Sequence, residues 1–107
     1  MMVLASRIKE FAQRIGREFH ARKVVLFGSY ASGAATRDSD VDLLVILPFD
    51  GSSVVQSVAI RMKLRPAFPV DLIVRSPQTI RRRLKMGDDF LRDILETGKV
   101  LYEADGR

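Results

Sequence analysis

The segment FGSYASGAATRDSDVDLLVIL, residues 27–47, constrains the fold more than any other part of the chain. It begins where the short β-branched run KVVLF ends at Gly28, and it closes with a second apolar run. Apolar runs of this length and composition are typical of buried strands. The sequence therefore predicts strands at 23–27 and 40–47, joined by small residues that form one or two helical turns from Ser29.

The other elements are predicted from apolar spacing and from the glycines and prolines that separate them. Helices are expected at 4–20, 54–64, 77–86 and 88–97, and further strands at 70–74 and 99–103. The prediction at 54–64 rests on the helical spacing of Val54, Val55, Val58 and Met62 and, less regularly, Leu64.

The lengths of the connections predict how the strands pair. A helix of about a dozen residues between the second and third strands fits a parallel crossover. The shorter connection between the first and second strands fits antiparallel pairing. We therefore expect an α/β (α+β) fold, a small mixed β-sheet flanked by helices.

Composition limits the class of protein. The 107 residues, 47% hydrophobic and 29% charged, predict a single globular domain over 1–107. There is no cysteine, no apparent export signal and no apolar run of membrane-spanning length, so we expect a cytoplasmic protein without membrane contact. The net charge of +5 favours polyanionic partners. The run Arg81-Arg82-Arg83 is interpreted as a solvated helix face, so direct nucleic-acid binding is not predicted.

Three aspartates are expected to meet at one edge of the sheet. Asp40 and Asp42 alternate along a strand, so they share a face with Cα atoms ~6.5 to 7 Å apart. Asp71, near the start of the parallel neighbour, can join them. An isolated Asp-x-Asp is more often a solvated turn, but the third carboxylate and a preceding Gly-Ser favour a cation site. Oxygen ligands without cysteine or a nearby histidine indicate Mg²⁺ or Mn²⁺.

Gly28 and Ser29 complement these carboxylates. A glycine at a strand end lets the backbone approach a phosphate, and the serine hydroxyl and the first helical amides can donate to phosphate oxygens. The alternative is that Gly28 is only a turn residue and Ser29 only a helix cap. Taken together, the residues predict that phosphate is held against a divalent metal.

Gly28-Ser29, ten residues, and Asp40-Val41-Asp42 resemble the GS-x10-DxD signature of the nucleotidyltransferase (DNA polymerase β-like) superfamily. The size, the leading helix and the ending ILETGKVLYE are similar to the minimal nucleotidyltransferases (MNT), antitoxins encoded beside HEPN-domain toxins. The resemblance implies a polymerase β palm-like fold. It also implies metal-dependent transfer of AMP from ATP to a hydroxyl, here a tyrosine of a partner HEPN toxin.

By position, the resemblance makes Asp40 and Asp42 metal ligands and Asp71 the third carboxylate and candidate base. Gly28 and Ser29 would hold the nucleoside triphosphate. Many members of the superfamily carry an arginine where this chain has Ser32, so the resemblance predicts metal binding more strongly than catalysis.

Two other functions remain open from the sequence. An antitoxin without catalytic activity would neutralise its partner by binding alone. A stand-alone nucleotidyltransferase would modify a hydroxyl of a small molecule. Because the chain has no obvious acceptor-binding domain, a partner protein is expected to present the acceptor.

Overall fold

The computed structural model describes residues 1–105, and residues 106 and 107 of the predicted domain lie outside that range. The elements follow in the order α1 (Ala5–Phe19), β1 (Lys23–Phe27), α2 (Ser29–Ser32), β2 (Val41–Ile46), α3 (Ser53–Leu64), β3 (Val70–Arg75), α4 (Pro77–Lys85), α5 (Asp89–Thr97) and β4 (Lys99–Glu103). Every helix and strand predicted from the sequence is present. Strand β2 begins one residue later than predicted, so Asp40 lies just before it.

The four strands form one mixed sheet in the order β3-β2-β1-β4. Strand β1 is antiparallel to both β2 and β4, whereas β2 and β3 are parallel and joined by the crossover helix α3. Both predicted pairings are therefore confirmed. The end of β1 and the starts of β2 and β3 lie at the same edge of the sheet.

Helices cover both faces of this sheet. Alternate strand residues, among them Val24, Leu43 and Val45, pack with α1 and α3 in the larger core. The opposite face, with Val25 and Leu44, packs against α4 and α5. Because strand side chains alternate between faces, successive residues of β1 and β2 point alternately toward the two cores.

Short polar residues fix where the helices begin. The Ser52 hydroxyl accepts from the Val54 and Val55 amides, and Ser76 and Asp88 cap α4 and α5 in the same way. At the C-terminal end of α1, His20 takes a left-handed backbone conformation and terminates the helix. Helix α2 is a single turn.

The predicted helix α3 is present, but of the five side chains that predict it only Leu64 enters the core. Val54, Val55, Val58 and Met62 are 67%, 62%, 46% and 70% exposed. The buried face is formed instead by Ile60 and Leu64, which pack in the larger core. The helix is apolar on two opposite sides, so spacing alone does not reveal which side meets the sheet.

Among the described residues, no helix is long and apolar enough to cross a membrane. The longest of them, α1, has 15 residues.

Gly16 of α1 lies against the ring of Tyr102 on β4, and a Cβ added at Gly16 would overlap that ring. We expect Gly16→Ala to lower the melting temperature. The gain in helix propensity of roughly 1 kcal/mol is outweighed by overpacking of about 1–3 kcal/mol. Thermal unfolding by circular dichroism measures the change. In a Tyr102→Ala background the same substitution should raise the melting temperature, and a decrease in both backgrounds would contradict the packing account.

Candidate active site

Asp42 lies between two neighbours at the edge of the sheet. It pairs with Phe27 on the antiparallel strand β1 and with Asp71 on the parallel strand β3. Paired residues on adjacent strands project from the same face, and adjacent strands lie ~4.8 Å apart. Asp42 and Asp71 are therefore side by side, on the sheet face that α4 and α5 cover further along.

Asp40 reaches the same edge from the loop before β2. The loop is braced by a turn in which the Thr36 amide donates to the Ser39 hydroxyl at 2.9 Å, and the Ser39 amide donates to the Thr36 carbonyl at 3.1 Å. Immediately after Asp40, the Val41 amide donates to the Pro69 carbonyl at 3.0 Å, which ties β2 to the start of β3. Asp40 and Asp71 are exposed, whereas Asp42 is partly buried.

The environment of Asp42 opposes its charge. Burial raises the pKa of the Asp42 carboxyl, and the negative charges of Asp71 and Asp40 raise it further. Asp71 and Asp40 are thus both close enough to repel the charge of Asp42. Within residues 1–105, however, no three acidic or histidine side chains are gathered tightly enough to enclose an ion.

Gly28 lies directly against this cluster. A Cβ at Gly28 would overlap the Oδ2 atom of Asp42, and the residue has φ of 74° and ψ of −155°, a conformation essentially restricted to glycine. Its carbonyl accepts from the Ala31 and Ser32 amides at 3.1 Å, which starts α2. The Gly28 corner is therefore in contact with the Asp42 carboxylate.

Ser29 is the first residue of α2 and is partly exposed at this corner. Ser32 ends the single turn, is exposed, and its hydroxyl donates to the Ser29 carbonyl at 3.3 Å. The Tyr30 hydroxyl accepts from the Val3 amide at 3.1 Å, and its ring packs against the larger core. Tyr30 thus anchors the corner to the chain that precedes α1.

Sequence reasoning missed the aromatic side of the site. Phe27 meets Phe90 of α5 edge to face, with ring centroids 5.9 Å apart, although Phe90 is 61% exposed. A cleft of about 490 Å³ beside Gly28 separates α2 from α5, and its lining includes Phe27, Ala31, Phe90, Ile94 and Thr97. No sequence motif marks Phe90, because its position depends on how α5 folds back over β1.

Comparison with known proteins decides the family. Residues 6–102 match the family model described as Nucleotidyltransferase domain. The chain is 33% identical over 97 residues to the candidate protein adenylyltransferase MJ0604 of Methanocaldococcus jannaschii. The aligned region covers 89% of this chain and 94% of the relative. The chain belongs to the nucleotidyltransferase family. The family predicted from the Gly-Ser and Asp-x-Asp spacing is confirmed.

Solved structures show the same fold. A toxin-antitoxin structure with AMP-PNP matches 91% of this nucleotidyltransferase and 74% of the other chain, with a TM-score of 0.62 and 22% identity. A second match is a MntA-HpeT toxin-antitoxin variant in which two aspartates spaced two residues apart are changed to glutamate. It also covers 91% of this chain and 74% of the other chain, with a TM-score of 0.60 and 20% identity. The predicted nucleotidyltransferase fold is therefore confirmed.

The raised pKa of Asp42 predicts how this nucleotidyltransferase responds to pH. The folded state holds the Asp42 proton more tightly than the unfolded state, so stability falls as the pH rises from the usual value of 3.8 through the raised value. Without added metal, Asp42→Asn should therefore melt at a higher temperature than wild type near neutral pH. The difference in melting temperature between Asp42→Asn and wild type should shrink when the pH is below 3.8, the usual pKa of an aspartate. Differential scanning fluorimetry across pH measures this, and a destabilised variant near neutral pH would contradict it.

Gly28→Ala should destabilise the nucleotidyltransferase by about 1–3 kcal/mol through backbone strain, and further because the new methyl group displaces the Asp42 carboxylate. Gly33→Ala is the matched control. Gly33 also has positive φ, at 84°, but nothing lies within 4 Å of a Cβ there. Chemical denaturation measures both variants. Equal losses would show that backbone conformation alone, and not contact with Asp42, requires Gly28.

Proposed function

We propose that this nucleotidyltransferase moves AMP from ATP to a hydroxyl of a partner protein. The acceptor is a tyrosine of a HEPN-domain toxin, and the chain acts as the antitoxin in the cytoplasm. The observation that carries the proposal is the contact of the Gly28 corner with the Asp42 carboxylate, beside which Asp71 lies on the neighbouring strand. That arrangement supports phosphate binding at the corner next to a divalent cation held by the carboxylates.

The donor set at this edge fits Mg²⁺ or Mn²⁺. Asp40, Asp42 and Asp71 offer only hard oxygen ligands. Burial, and then the charges of Asp71 and Asp40, raise the pKa of Asp42, as expected for a group that a cation stabilises. These three residues would hold the metal. When bound, a divalent ion supplies positive charge against the triphosphate oxygens.

The remaining roles belong to residues of the chain. The Ser29 hydroxyl and the amides at the start of α2 donate to phosphate oxygens, and Gly28 allows the triphosphate to approach the backbone. Asp71 is exposed at the edge of the cluster, where an incoming hydroxyl can reach it. It accepts the hydroxyl proton as the oxygen bonds to the α-phosphorus. The bond from the α-phosphorus to the bridging oxygen breaks, and pyrophosphate leaves.

A partner protein is favoured as the source of the acceptor. Among residues 1–105 the helices and strands are used to build one sheet and its two cores, and the carboxylates open at its edge. The relative MJ0604 is described as a candidate protein adenylyltransferase, and the two solved structures described above are toxin-antitoxin structures, one of them with AMP-PNP. These likenesses support a protein acceptor, a toxin partner and ATP as the donor.

The test combines the chain with Mg²⁺, one nucleoside triphosphate at a time, and the purified protein encoded beside it. Intact-mass spectrometry should show AMP units on a tyrosine of that partner with ATP. Asp42→Asn should lower the rate by on the order of a hundredfold or more, because it removes a charged metal ligand. Asp38→Asn, which changes an exposed aspartate in the same loop, should leave the rate unchanged.

Three outcomes would contradict the proposal. An unmodified partner with every nucleotide would argue against catalysis. If Asp42→Asn still neutralised the toxin, protection by binding alone would be shown. Modification of small-molecule hydroxyls but not of the partner would identify a stand-alone transferase.

A further inference from the structure

An exposed apolar stripe runs along the outer face of α3. Val54, Val58 and Met62 follow one another at steps of four, and Val55 lies beside them. Residues at this spacing form one continuous ridge on a helix, here about 12 Å long. The ridge faces away from the sheet, because α3 is attached to the larger core through Ile60 and Leu64 on its opposite side.

Within residues 1–105, the fold of the single chain does not cover this stripe. Helix α3 is already held by its buried face and by the Ser52 cap. A contiguous set of large apolar side chains on a helix surface marks an interaction site more often than a chance exposure. The stripe therefore indicates a protein surface that covers it.

The charged residues around the stripe do not favour an acidic partner. Two of the nearby cations already have partners within the chain, since Lys63 Nζ lies 3.6 Å from Glu18 Oε1 and Arg61 Nη2 donates to the Val70 carbonyl at 2.7 Å. Arg65, at the end of the helix, is exposed and takes part in no ion pair among residues 1–105.

Asp50, before the start of the helix, is also exposed and likewise forms no ion pair within the described chain. The stripe thus has an unpaired acid beyond one end and an unpaired base at the other. When two copies of α3 lie antiparallel, Asp50 of each copy comes toward Arg65 of the other. The ridge is also symmetric about Val58, so Val54 of one copy meets Met62 of the other.

We propose that the α3 stripe pairs with the same stripe of a second copy of this chain, about a twofold axis at Val58. Ridges of residues at steps of four pack into one another with the helices crossing at about −50°. One helix face buries less surface on each chain than the roughly 800 Å² per partner that is typical of a stable protein–protein interface. The dimer is therefore weak and concentration-dependent.

This arrangement has a consequence for the active site. Helix α3 packs on the sheet face opposite the one from which Asp42 and Asp71 project. The dimer thus leaves both carboxylate clusters facing outward and open to acceptors. Breaking it should not change nucleotidyl transfer per chain, so the dimer and the proposed function can fail independently.

Sedimentation velocity over a dilution series up to about 1 mM chain, where even a weak contact is half associated, tests the pairing. Wild type should shift from monomer to dimer. Val54→Asp with Met62→Asp should stay monomeric, because like charges then face each other across the twofold axis. Val54→Asp with Met62→Lys should recover dimer, because the same positions then carry opposite charges.

Met86→Asp is the matched control, since Met86 is an exposed methionine outside α3 and its replacement should leave the dimer unchanged. Circular dichroism checks that each variant is folded. A wild-type monomer at every concentration would overturn the proposal and assign the stripe to a different protein. Persistence of the dimer in the double-aspartate variant, or no recovery with lysine, would overturn the antiparallel pairing.

Discussion

The site depends on one close approach, that of the Gly28 backbone to the carboxylate of Asp42. Strands β1 and β2 are paired so that Phe27 is opposite Asp42, and the chain must turn away immediately after Phe27 to start α2. Only a residue without a side chain can make that turn while touching the aspartate. The same contact that constrains the backbone also brings the start of α2 next to the acidic cluster.

The repulsion of Asp42 by Asp71 and Asp40 occurs on a sheet that is stabilised elsewhere. Asp40 and Asp71 are exposed, whereas Asp42 is partly buried between the two neighbouring strands, and its pKa is raised by that burial and then by the charges of Asp71 and Asp40. The sheet that carries these residues is held by the two apolar cores on its faces. A stable scaffold therefore supports a locally unfavourable group, the pattern expected where a cation or substrate completes the site.

The pairing of β1 with β2 and of β2 with β3 could be predicted, because connection length and local patterning determine them, whereas the position of β4 beside β1 was not predicted. The approach of Gly28, Asp42 and Asp71 to one edge of the sheet followed from those pairings, and the family followed from the spacing of Gly28-Ser29 and Asp40-Val41-Asp42. The exposed side of α3 could not be predicted, because Val58 and Ile60 are equally apolar and only packing selects one of them. The position of Phe90 beside Phe27 and the contact of Gly16 with Tyr102 also depend on tertiary packing, which leaves no local signal in the sequence.

The central claim is that Asp40, Asp42 and Asp71 bind a divalent cation beside the Gly28 corner. Titration of isotopically labelled chain with Mn²⁺, followed by NMR, tests it directly because the paramagnetic ion broadens the amide signals nearest to it. The account predicts that Gly28, Ser29 and the amides around the three aspartates broaden first, while those of α3 remain sharp. First broadening around any other group of acidic residues, or uniform broadening, would contradict it.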